Sequence, residues 1–257
     1  MNRRWWLAAM AMVVAMIGFG GAARAEDEAA KPIRVLVITG EDVSAHPWRE
    51  MTLATMKALY DANCFDVTVE EGIATFGDAE RLESFDVVAF LLCNMGRFPE
   101  ITEVQMANLD AFVKSGGGFY LQHIASASFQ NACPEFGKLC GRWWKWGVSG
   151  HGPREVFEST IRDKNHPVTE GISNFQTDDE LYAKLEVAQE EINVLIDAYS
   201  DWSKQTEPLV FWFPYGEGRV FYNTYGHDGK ALMTPEVQKI IARGVEFAAT
   251  GDVKAAK

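Results

Sequence analysis

Apolar residues follow two alternating patterns along the first half of the chain. Four short runs rich in apolar, β-branched or aromatic residues predict strands, and the nearly uninterrupted apolar sequence of the first and third runs indicates strands buried in a sheet. These runs are Ile33–Thr39, Phe65–Val69, Phe85–Leu92 and Phe119–Ile124. Segments Trp48–Tyr60 and Glu103–Lys114 instead place apolar residues at helical spacing. Strands that alternate with helices predict an α/β fold with a mostly parallel sheet and helices on both faces.

The second half of the chain predicts a different arrangement. Short alternating or apolar segments indicate three further strands, at Val156–Arg162, Leu181–Val187 and Ile192–Ala198. Leu209–Phe213 and Arg219–Tyr225 flank a cluster of turn residues and predict a β-hairpin. Pro235–Ala248 has the pattern of a closing helix with proline in its first turn. Because no internal repeat or long linker is evident, residues 31–251 are predicted to form a single α/β domain.

The first 25 residues have the organisation of an export signal. A short basic start precedes an uncharged apolar run, Trp5–Phe19, and Ala-Arg-Ala at positions 23–25 fits a cleavage site. The run is shorter than the roughly 20 residues of a membrane span. We therefore expect a cleaved signal peptide over residues 1–25, and a periplasmic or secreted protein that begins near Glu26 and is not attached to a membrane. A retained membrane anchor is the alternative.

Composition and charge narrow the class of protein. The chain has 257 residues, of which 47% are hydrophobic and 23% are charged, and this mixture excludes an intrinsically disordered protein. The net charge is −12, and the loss of three arginines with residues 1–25 would lower it to −15. Because an acidic surface repels phosphate backbones, we expect no nucleic-acid partner.

Four cysteines matter because export would place them in a compartment where disulfides form. Cys133 and Cys140 flank a short segment that contains proline and glycine, so a local disulfide and two free thiols are both open alternatives. Cys64 precedes one predicted strand and Cys93 ends another. These two would lie at opposite ends of the sheet, too far apart to bond, and we expect both to be buried thiols.

Most of the histidines follow predicted strands or lie in adjacent loops. In an open parallel sheet, ligands bind beyond the carboxyl ends of the strands. His46, His123 and His227 follow strands, and His151 lies in a glycine-rich loop. Imidazole transfers protons near neutral pH and binds metals when neutral. The four could form a metal-free acid/base set, or supply three or four ligands to a divalent metal such as zinc. Each could also be structural, as we expect for His166.

Carboxylates and tryptophans add further candidates. Asp179 and Glu180 precede an apolar segment, and Glu180 is the better placed to orient a histidine or take a substrate proton. Asp179 could accept hydrogen bonds from sugar hydroxyls, or both acids could be solvated. Neighbouring indole rings could stack on sugar rings or fill the core, and these belong to Trp143, Trp144 and Trp146.

Several separate motifs resemble those of the ThuA-like family. They occur at residues 116–129 (GGGFYLQHIASASF), 166–172 (HPVTEGI) with 179–182 (DELY), 214–222 (PYGEGRVFY), 226–228 (GHD) and 243–248 (RGVEFA). The similarity extends from about Ile33 to Gly251. It implies a flavodoxin-like α/β fold related to class I glutamine amidotransferases, completed here by the predicted C-terminal hairpin and helix. It also implies a role in the utilisation of trehalose and other sugars.

The resemblance has one consequence for the chemistry. In the amidotransferase superfamily a nucleophilic cysteine occupies the sharp turn after a strand, and the corresponding turn here carries His123. Without a thiol at this turn, glutamine hydrolysis through a thioester is not expected.

Two functions of different classes remain. The first is an enzyme that isomerises, eliminates from or hydrolyses a sugar or keto-sugar, with His123 as base or metal ligand, His227 as its partner and Glu180 as the orienting carboxylate. The second is a carbohydrate-binding module without catalysis. The expected contacts to a small-molecule carbohydrate are His46, His151, Trp143, Trp144 and Asp179. A thiol hydrolase built on Cys93 is disfavoured by its apolar neighbours. The sequence leaves the oligomeric state open, a homo-oligomer included.

Overall fold

The computed structural model describes residues 31–129 and 133–256. Its strands are β1 (Ile33–Thr39), β2 (Phe65–Glu71), β3 (Val87–Phe90), β4 (Gly118–Gln122), β5 (Arg142–Trp143), β6 (Glu155–Ile161), β7 (Phe175–Asp179), β8 (Glu186–Val187), β9 (Asn193–Ser200), β10 (Gln205–Tyr215) and β11 (Gly218–Asn223). Its helices are α1 (Trp48–Ala62), α2 (Ala79–Glu83), α3 (Glu103–Lys114), α4 (Pro134–Cys140), α5 (Gly229–Leu232) and α6 (Pro235–Thr250), with 3-10 helices at Ala74–Gly77 and His123–Ala127. The predicted signal peptide lies outside the described residues. None of the helices within the described ranges is long and apolar enough to cross a membrane.

A nine-stranded mixed sheet runs through the molecule in the order β2-β1-β3-β4-β11-β10-β9-β6-β7. The first five strands pair in parallel, in the flavodoxin-like order 2-1-3-4-5 when β11 is counted as the fifth. The other pairs are antiparallel, so the expectation of a mostly parallel sheet is only partly correct. The short turns that join β9 to β10 and β10 to β11 require antiparallel neighbours, because a parallel crossover needs a dozen or more residues.

Hydrophobic cores cover both faces of the central parallel strands β1, β3 and β4, whereas the edge strand β2 is only partly buried. Along β1, Val35 and Val37 face the core shared with α1 and α6, whereas Leu36 and Ile38 face the core shared with α3 and α4. Successive side chains of a strand point to opposite faces, so a strand covered on both sides needs apolar residues at every position. Burial on both faces explains the nearly uninterrupted apolar sequence of β1 and β3.

Most predicted elements are present with small shifts at their ends. β1 and α3 have the predicted bounds, α1 extends to Ala62, and the predicted hairpin and closing helix correspond to β10, β11 and α6. The strand predicted over Leu181–Val187 is wrong, because the main strand is β7, just before it, and only the short β8 pairs with β5. β7 buries Thr177 and Asp179 as well as Phe175. Polar residues at buried positions hide a strand from a hydrophobicity pattern.

All four cysteines are free thiols. Cys133 and Cys140 lie at opposite ends of α4, about 10 Å apart along the helix axis, which exceeds the reach of a disulfide. Cys93 is buried as expected, but Cys64 is only half-buried. Burial raises the pKa of the Cys93 thiol to about 12, which disfavours a nucleophilic thiolate at that position.

Gly118, the first residue of β4, lies against the backbone of α6. A Cβ atom here would lie 2.6 Å from the carbonyl carbon and oxygen of Ala248, and a helix backbone cannot move aside as the end of a side chain can. We expect Gly118→Ala to lower the free energy of unfolding by about 1–3 kcal/mol, measured by urea denaturation. Gly77→Ala is the matched control, because a Cβ there would have Gln105 Cγ 4.0 Å away as its nearest neighbour. Equal stabilities of the two variants would contradict this account.

Candidate metal centre

Four candidate residues follow strands that end at the same edge of the sheet. After the carboxyl ends of β1, β4, β7 and β11 come His46, His123, Glu180 and His227. β1, β4 and β11 are parallel. β7 shares their direction because four antiparallel pairings separate it from β11, and an even number of reversals restores the direction. All four side chains are therefore carried to one place.

His123 occupies a sharp turn with an uncommon backbone conformation. Its φ of +46° is in the left-handed region, which residues other than glycine seldom adopt and which clusters at functional sites. The turn joins β4 to a 3-10 helix. Gly226 packs close to it, because a Cβ on Gly226 would lie 3.2 Å from that of His123. The sharp turn after a strand that the family resemblance implied is present at this residue.

Three imidazoles and one carboxylate converge on one point. One ligand atom from each of the four residues lies within 4.8 Å of the others. The Nε2 atoms of His46 and His123 are 3.1 Å apart. Glu180 Oε2 lies 3.3 Å and 3.5 Å from these two nitrogens, and Oε1 lies 2.9 Å from His227 Nδ1. The four side chains are between 0% and 12% exposed, so water contributes little to their solvation.

Backbone carbonyl groups orient two of the imidazoles. His46 Nδ1 lies 2.9 Å from the Val43 oxygen, and His123 Nδ1 lies 2.6 Å from the Thr224 oxygen. Because a carbonyl only accepts hydrogen bonds, each Nδ1 carries a proton and each Nε2 of the neutral ring presents a lone pair. These two lone pairs and the Glu180 carboxylate face one another without a proton between them. Such an arrangement is unfavourable unless a cation lies among them.

The donor set and its spacing fit a divalent transition metal. Zinc binds imidazole nitrogen at about 2.0–2.1 Å, so two tetrahedrally arranged ligand atoms lie about 3.3 Å apart. The four separations given above, 2.9–3.5 Å, fall on either side of this value, and all pairs of ligand atoms lie within 4.8 Å. Glu180 Oε2 is buried and accepts no well-aligned hydrogen bond from the described residues. Imidazole ligands also suit iron, nickel and copper, so the donor set indicates the class of metal rather than one element.

Burial and neighbouring groups favour the forms in which two of these residues bind a metal. Burial lowers the pKa of His123, against the opposing effect of Glu180. Burial would raise the pKa of Glu180, but interactions with the histidines, His123 foremost, outweigh it and hold that pKa well below its usual range. The Glu180 carboxylate in turn raises the pKa of His227. Metals bind neutral imidazole and ionised carboxylate, so His123 and Glu180 are prepared as ligands and His227 gives up a proton on binding.

Asp179 holds the backbone segments that carry Glu180 and His227. Its Oδ1 accepts hydrogen bonds from the backbone N–H groups of Glu180 and His227, at 2.8 Å and 3.0 Å, and its Oδ2 accepts one from Gly226 at 2.8 Å. The side chain is fully buried, and burial raises its pKa. The structure does not support the prediction that Asp179 contacts sugar hydroxyls, because backbone donors surround its oxygens. It instead holds together two segments that carry candidate ligands.

His151 lies beside the four-residue cluster but is not one of its members. Its Nε2 is 3.5 Å from Glu180 Oε1, and its side chain is 32% exposed, more than any ligand candidate. Its Nδ1 lies 2.6 Å from the Gly152 oxygen, so by the same reasoning its Nε2 presents a lone pair to the site. The structure therefore groups Glu180, rather than His151, with the other three histidines.

The three neighbouring tryptophans occupy different environments. Trp144 is buried, with its ring centroid 4.6 Å from that of Tyr182. Trp143 lies against Gly137 of α4, so that a Cβ on this glycine would be 2.8 Å from the indole. Trp143 therefore packs as core and is a poor candidate for a sugar contact. Trp146 is 46% exposed and lies edge-on to Trp144, with 5.9 Å between ring centroids.

Tyr182 is a residue of the site that the sequence reasoning missed. Its ring stacks on His123 with 4.1 Å between centroids, and its buried hydroxyl has no hydrogen-bond partner among the described residues. In the sequence, Tyr182 is distinguished only as the last residue of the motif at 179–182 (DELY). The signal that points to it is its position two residues after Glu180, since alternate residues of an extended segment share a face.

Arg154 connects three segments that carry site residues. It follows His151 by three residues, and its guanidinium contacts two acidic side chains. Its Nε lies 3.1 Å from Oδ1 of Asp178 near the end of β7, and its Nη1 pairs with Asp228, the neighbour of His227. A planar guanidinium can bridge two carboxylates in a fixed geometry. We infer that Arg154 sets the distance between the loops on either side of the cluster.

The fold and the site together define a class of protein. It is an α/β protein of flavodoxin-like topology that gathers three histidines and a glutamate at the carboxyl ends of its strands. Residues 34–248 match the family described as ThuA, trehalose utilisation. The chain therefore belongs to the ThuA family, as the sequence motifs implied, and the family description indicates a role in carbohydrate utilisation.

Solved structures share this fold. A ThuA-like protein of Parabacteroides merdae is 28% identical with a TM-score of 0.75, over 87% of this chain and 92% of that chain. A ThuA-like protein of Bacteroides uniformis is 18% identical with a TM-score of 0.66, over 89% and 97%. A β-galactosidase of Rahnella sp. R3 is 17% identical with a TM-score of 0.55, over 85% of this chain and 32% of that chain. The B. uniformis and Rahnella proteins show only that the fold is shared. A search of curated proteins found no match.

The cluster predicts that the purified protein binds one divalent metal ion per chain. His123→Gln should weaken zinc binding by more than about 100-fold, because it removes a ligand rather than an outer group that orients one. Competition with a chromogenic chelator measures this affinity. His166→Gln is the matched control, since His166 packs against Phe247 with 4.5 Å between ring centroids and lies outside the cluster. Equal affinity in the two variants, or no metal binding by the unmodified protein, would contradict the metal centre.

The role inferred for Arg154 predicts a smaller effect on the same measurement. Arg154→Met should weaken zinc binding about 10–100-fold while leaving all four ligands in place. Arg154→Lys should restore only part of the affinity, because an ammonium group cannot bridge two carboxylates as a guanidinium does. Arg162→Met is the matched control, since Arg162 flanks the other end of β6 and pairs with Asp197. If Arg154→Met and Arg162→Met change the zinc affinity equally, Arg154 forms ordinary ion pairs and does not position the ligands.

Proposed function

We propose that the protein is an exported enzyme that carries out metal-assisted acid/base chemistry on a sugar or keto-sugar. The observation that supports this most strongly is the convergence of His46, His123, Glu180 and His227, in which the Nε2 lone pairs of His46 and His123 face the Glu180 carboxylate. A buried cluster of this kind has no evident purpose in packing, because apolar residues of similar volume would fill the space without the cost of burying charge. Export remains part of the proposal on the pattern of residues 1–25.

A carbohydrate substrate is favoured by the family and by the surroundings of the site. The family is described by trehalose utilisation. The net charge expected after signal cleavage disfavours anionic ligands. Aromatic rings from Tyr182 and Trp144 pack next to His123 and His151, and ligand sites commonly combine aromatic surface with a few polar groups. Glutamine hydrolysis is disfavoured because the sharp turn carries the imidazole of His123.

The protein groups have separable tasks in this proposal. When bound, a divalent metal would act as a Lewis acid on a carbonyl or hydroxyl oxygen of the sugar. His46, His123, Glu180 and His227 would hold it, and Asp179 would keep Glu180 and His227 in register. His151 Nε2, outside the ligand set and facing the site, is placed to accept a proton from a carbon next to a carbonyl group. This assigns the proton to His151 rather than to His123, whose Nε2 is committed to the metal.

Turnover separates this proposal from a carbohydrate-binding module. We expect the zinc-loaded protein to exchange the proton on the carbon next to the carbonyl of a 3-keto-glucoside with solvent deuterium. Loss of this proton signal is followed by proton NMR in D2O. His151→Gln should reduce the rate about 10²–10⁴-fold, the usual contribution of a general base, while zinc affinity changes by less than about threefold. His166→Gln serves again as the control.

One outcome would count against the enzyme, and another against the role of His151. Sugar binding without turnover, at any metal loading, would favour the binding module. If the turnover rate is unchanged in His151→Gln, His151 is not the general base, and another residue accepts the proton.

A further inference from the structure

We propose that Glu180 offers both of its carboxylate oxygens to the bound metal ion, so that the protein supplies five donor atoms and leaves a single position for a substrate oxygen. The proposal rests on the proposed function, because it takes the same four residues as ligands, and it deepens that function by restricting how a sugar reaches the ion. Carboxylates bind metal ions through one oxygen or through both, and the two modes leave different room for a substrate.

The two oxygens of Glu180 face different histidines. Oε2 lies 3.3 Å from His46 Nε2 and 3.5 Å from His123 Nε2, whereas Oε1 lies 2.9 Å from His227 Nδ1. An ion held by all three nitrogens therefore has Oε2 beside it on the side of His46 and His123, and Oε1 beside it on the side of His227. The carboxylate group lies across the ion and does not direct one oxygen at it.

These contacts have the spacing of hydrogen bonds but lack their alignment. Glu180 Oε2 accepts no well-aligned hydrogen bond from the described residues, and the contact between His227 Nδ1 and Oε1 is not aligned as one either. A hydrogen bond at such a distance favours a nearly straight line through the proton. Donor atoms that approach one another without this alignment are what a shared cation requires, because each atom then faces the ion and not its neighbour.

The shortest separations favour a coordination shell with more than four ligands. Two ligands of a tetrahedral zinc ion lie about 3.3 Å apart, whereas ligands at right angles around an ion of similar size lie roughly 3.0 Å apart. His227 Nδ1 and Glu180 Oε1 are 2.9 Å apart, and the Nε2 atoms of His46 and His123 are 3.1 Å apart. Three nitrogens and two oxygens suit ions that accept six ligands, such as manganese or iron, and zinc itself expands to five.

The remaining position lies on the side of His151. Its Nε2 is 3.5 Å from Glu180 Oε1, and its side chain is 32% exposed, against 12% or less for the four ligands. The ring of Tyr182 covers His123, with 4.1 Å between centroids, and closes that direction. A ligand from solvent therefore reaches the ion past His151.

A single free position restricts the class of substrate. A sugar that bound the ion through two neighbouring hydroxyl groups would need two positions, which five protein donors do not leave in a shell of six. One carbonyl oxygen beside the His151 lone pair brings the adjoining carbon–hydrogen bond within reach of that base. The site therefore favours a keto-sugar, bound through its carbonyl oxygen, over an unoxidised sugar.

The test counts coordinated water on the manganese-loaded, full-length mature chain without any sugar. Proton relaxation of the solvent reports how many water molecules bind the ion, and we expect a single one. Glu180→Gln should raise this number to two and weaken manganese binding more than about tenfold, because the amide binds through its oxygen alone. Glu207→Gln is the matched control, since Glu207 is also 8% exposed but accepts a hydrogen bond from the Lys184 backbone instead, and it should change neither quantity.

Cobalt gives a second readout that needs no variant. The visible spectrum of cobalt(II) depends on its coordination, and a four-coordinate ion absorbs much more strongly than a five- or six-coordinate one. We expect the weak absorption of the higher coordination number in the unmodified protein. If Glu180→Gln fails to fold or to bind an ion, this spectrum and the water count of the unmodified protein still decide the result.

The outcomes separate this proposal from the proposed function. Two or more coordinated water molecules on manganese, or an intense four-coordinate cobalt spectrum, would overturn binding through both oxygens of Glu180 and leave the metal centre standing. Failure of every divalent ion to bind would overturn the metal centre and this proposal together. A single coordinated water without turnover of keto-glucosides would instead overturn the proposed enzyme and support the role of Glu180.

Discussion

The buried carboxylate of Asp179 is the group on which the geometry of the site depends. A charge removed from water is unfavourable unless hydrogen bonds replace its hydration. Asp179 obtains these bonds from the backbone of Glu180, Gly226 and His227. The end of β7 and the loop after β11 therefore cannot separate without leaving buried groups unpaired. Two of the four candidate ligands are fixed in this way, and backbone carbonyls fix the other two independently.

The mixed sheet explains how distant parts of the chain reach this carboxylate. A purely parallel sheet would end after β11, and the site would then contain histidines from the first half of the chain and from one loop. The antiparallel extension reverses direction four times and returns β7 to the direction of the parallel strands. Glu180 is thus carried to the same edge as His123. A flavodoxin-like scaffold can host different chemistries, because function resides in the site rather than in the fold.

The tryptophans around this site differ in how far their indole rings are exposed to solvent. The indoles of Trp143 and Trp144 are mostly enclosed and contribute apolar area to the core. Trp202 packs one part of its ring against Gly150 and leaves the rest open.

The sequence by itself determined the parallel half of the sheet, because a strand buried on both faces and an amphipathic helix each leave a local periodic pattern. It also indicated that His46, His123 and His227 follow strand ends, and its motifs identified the family. Only the tertiary structure decided that Glu180 joins them as a candidate ligand rather than as an orienting group, that Asp179 faces inward, and that Tyr182 stacks on His123. The physical reason is that periodicity is local, whereas residues such as His46 and His123, 77 positions apart, meet only through strand order and direction.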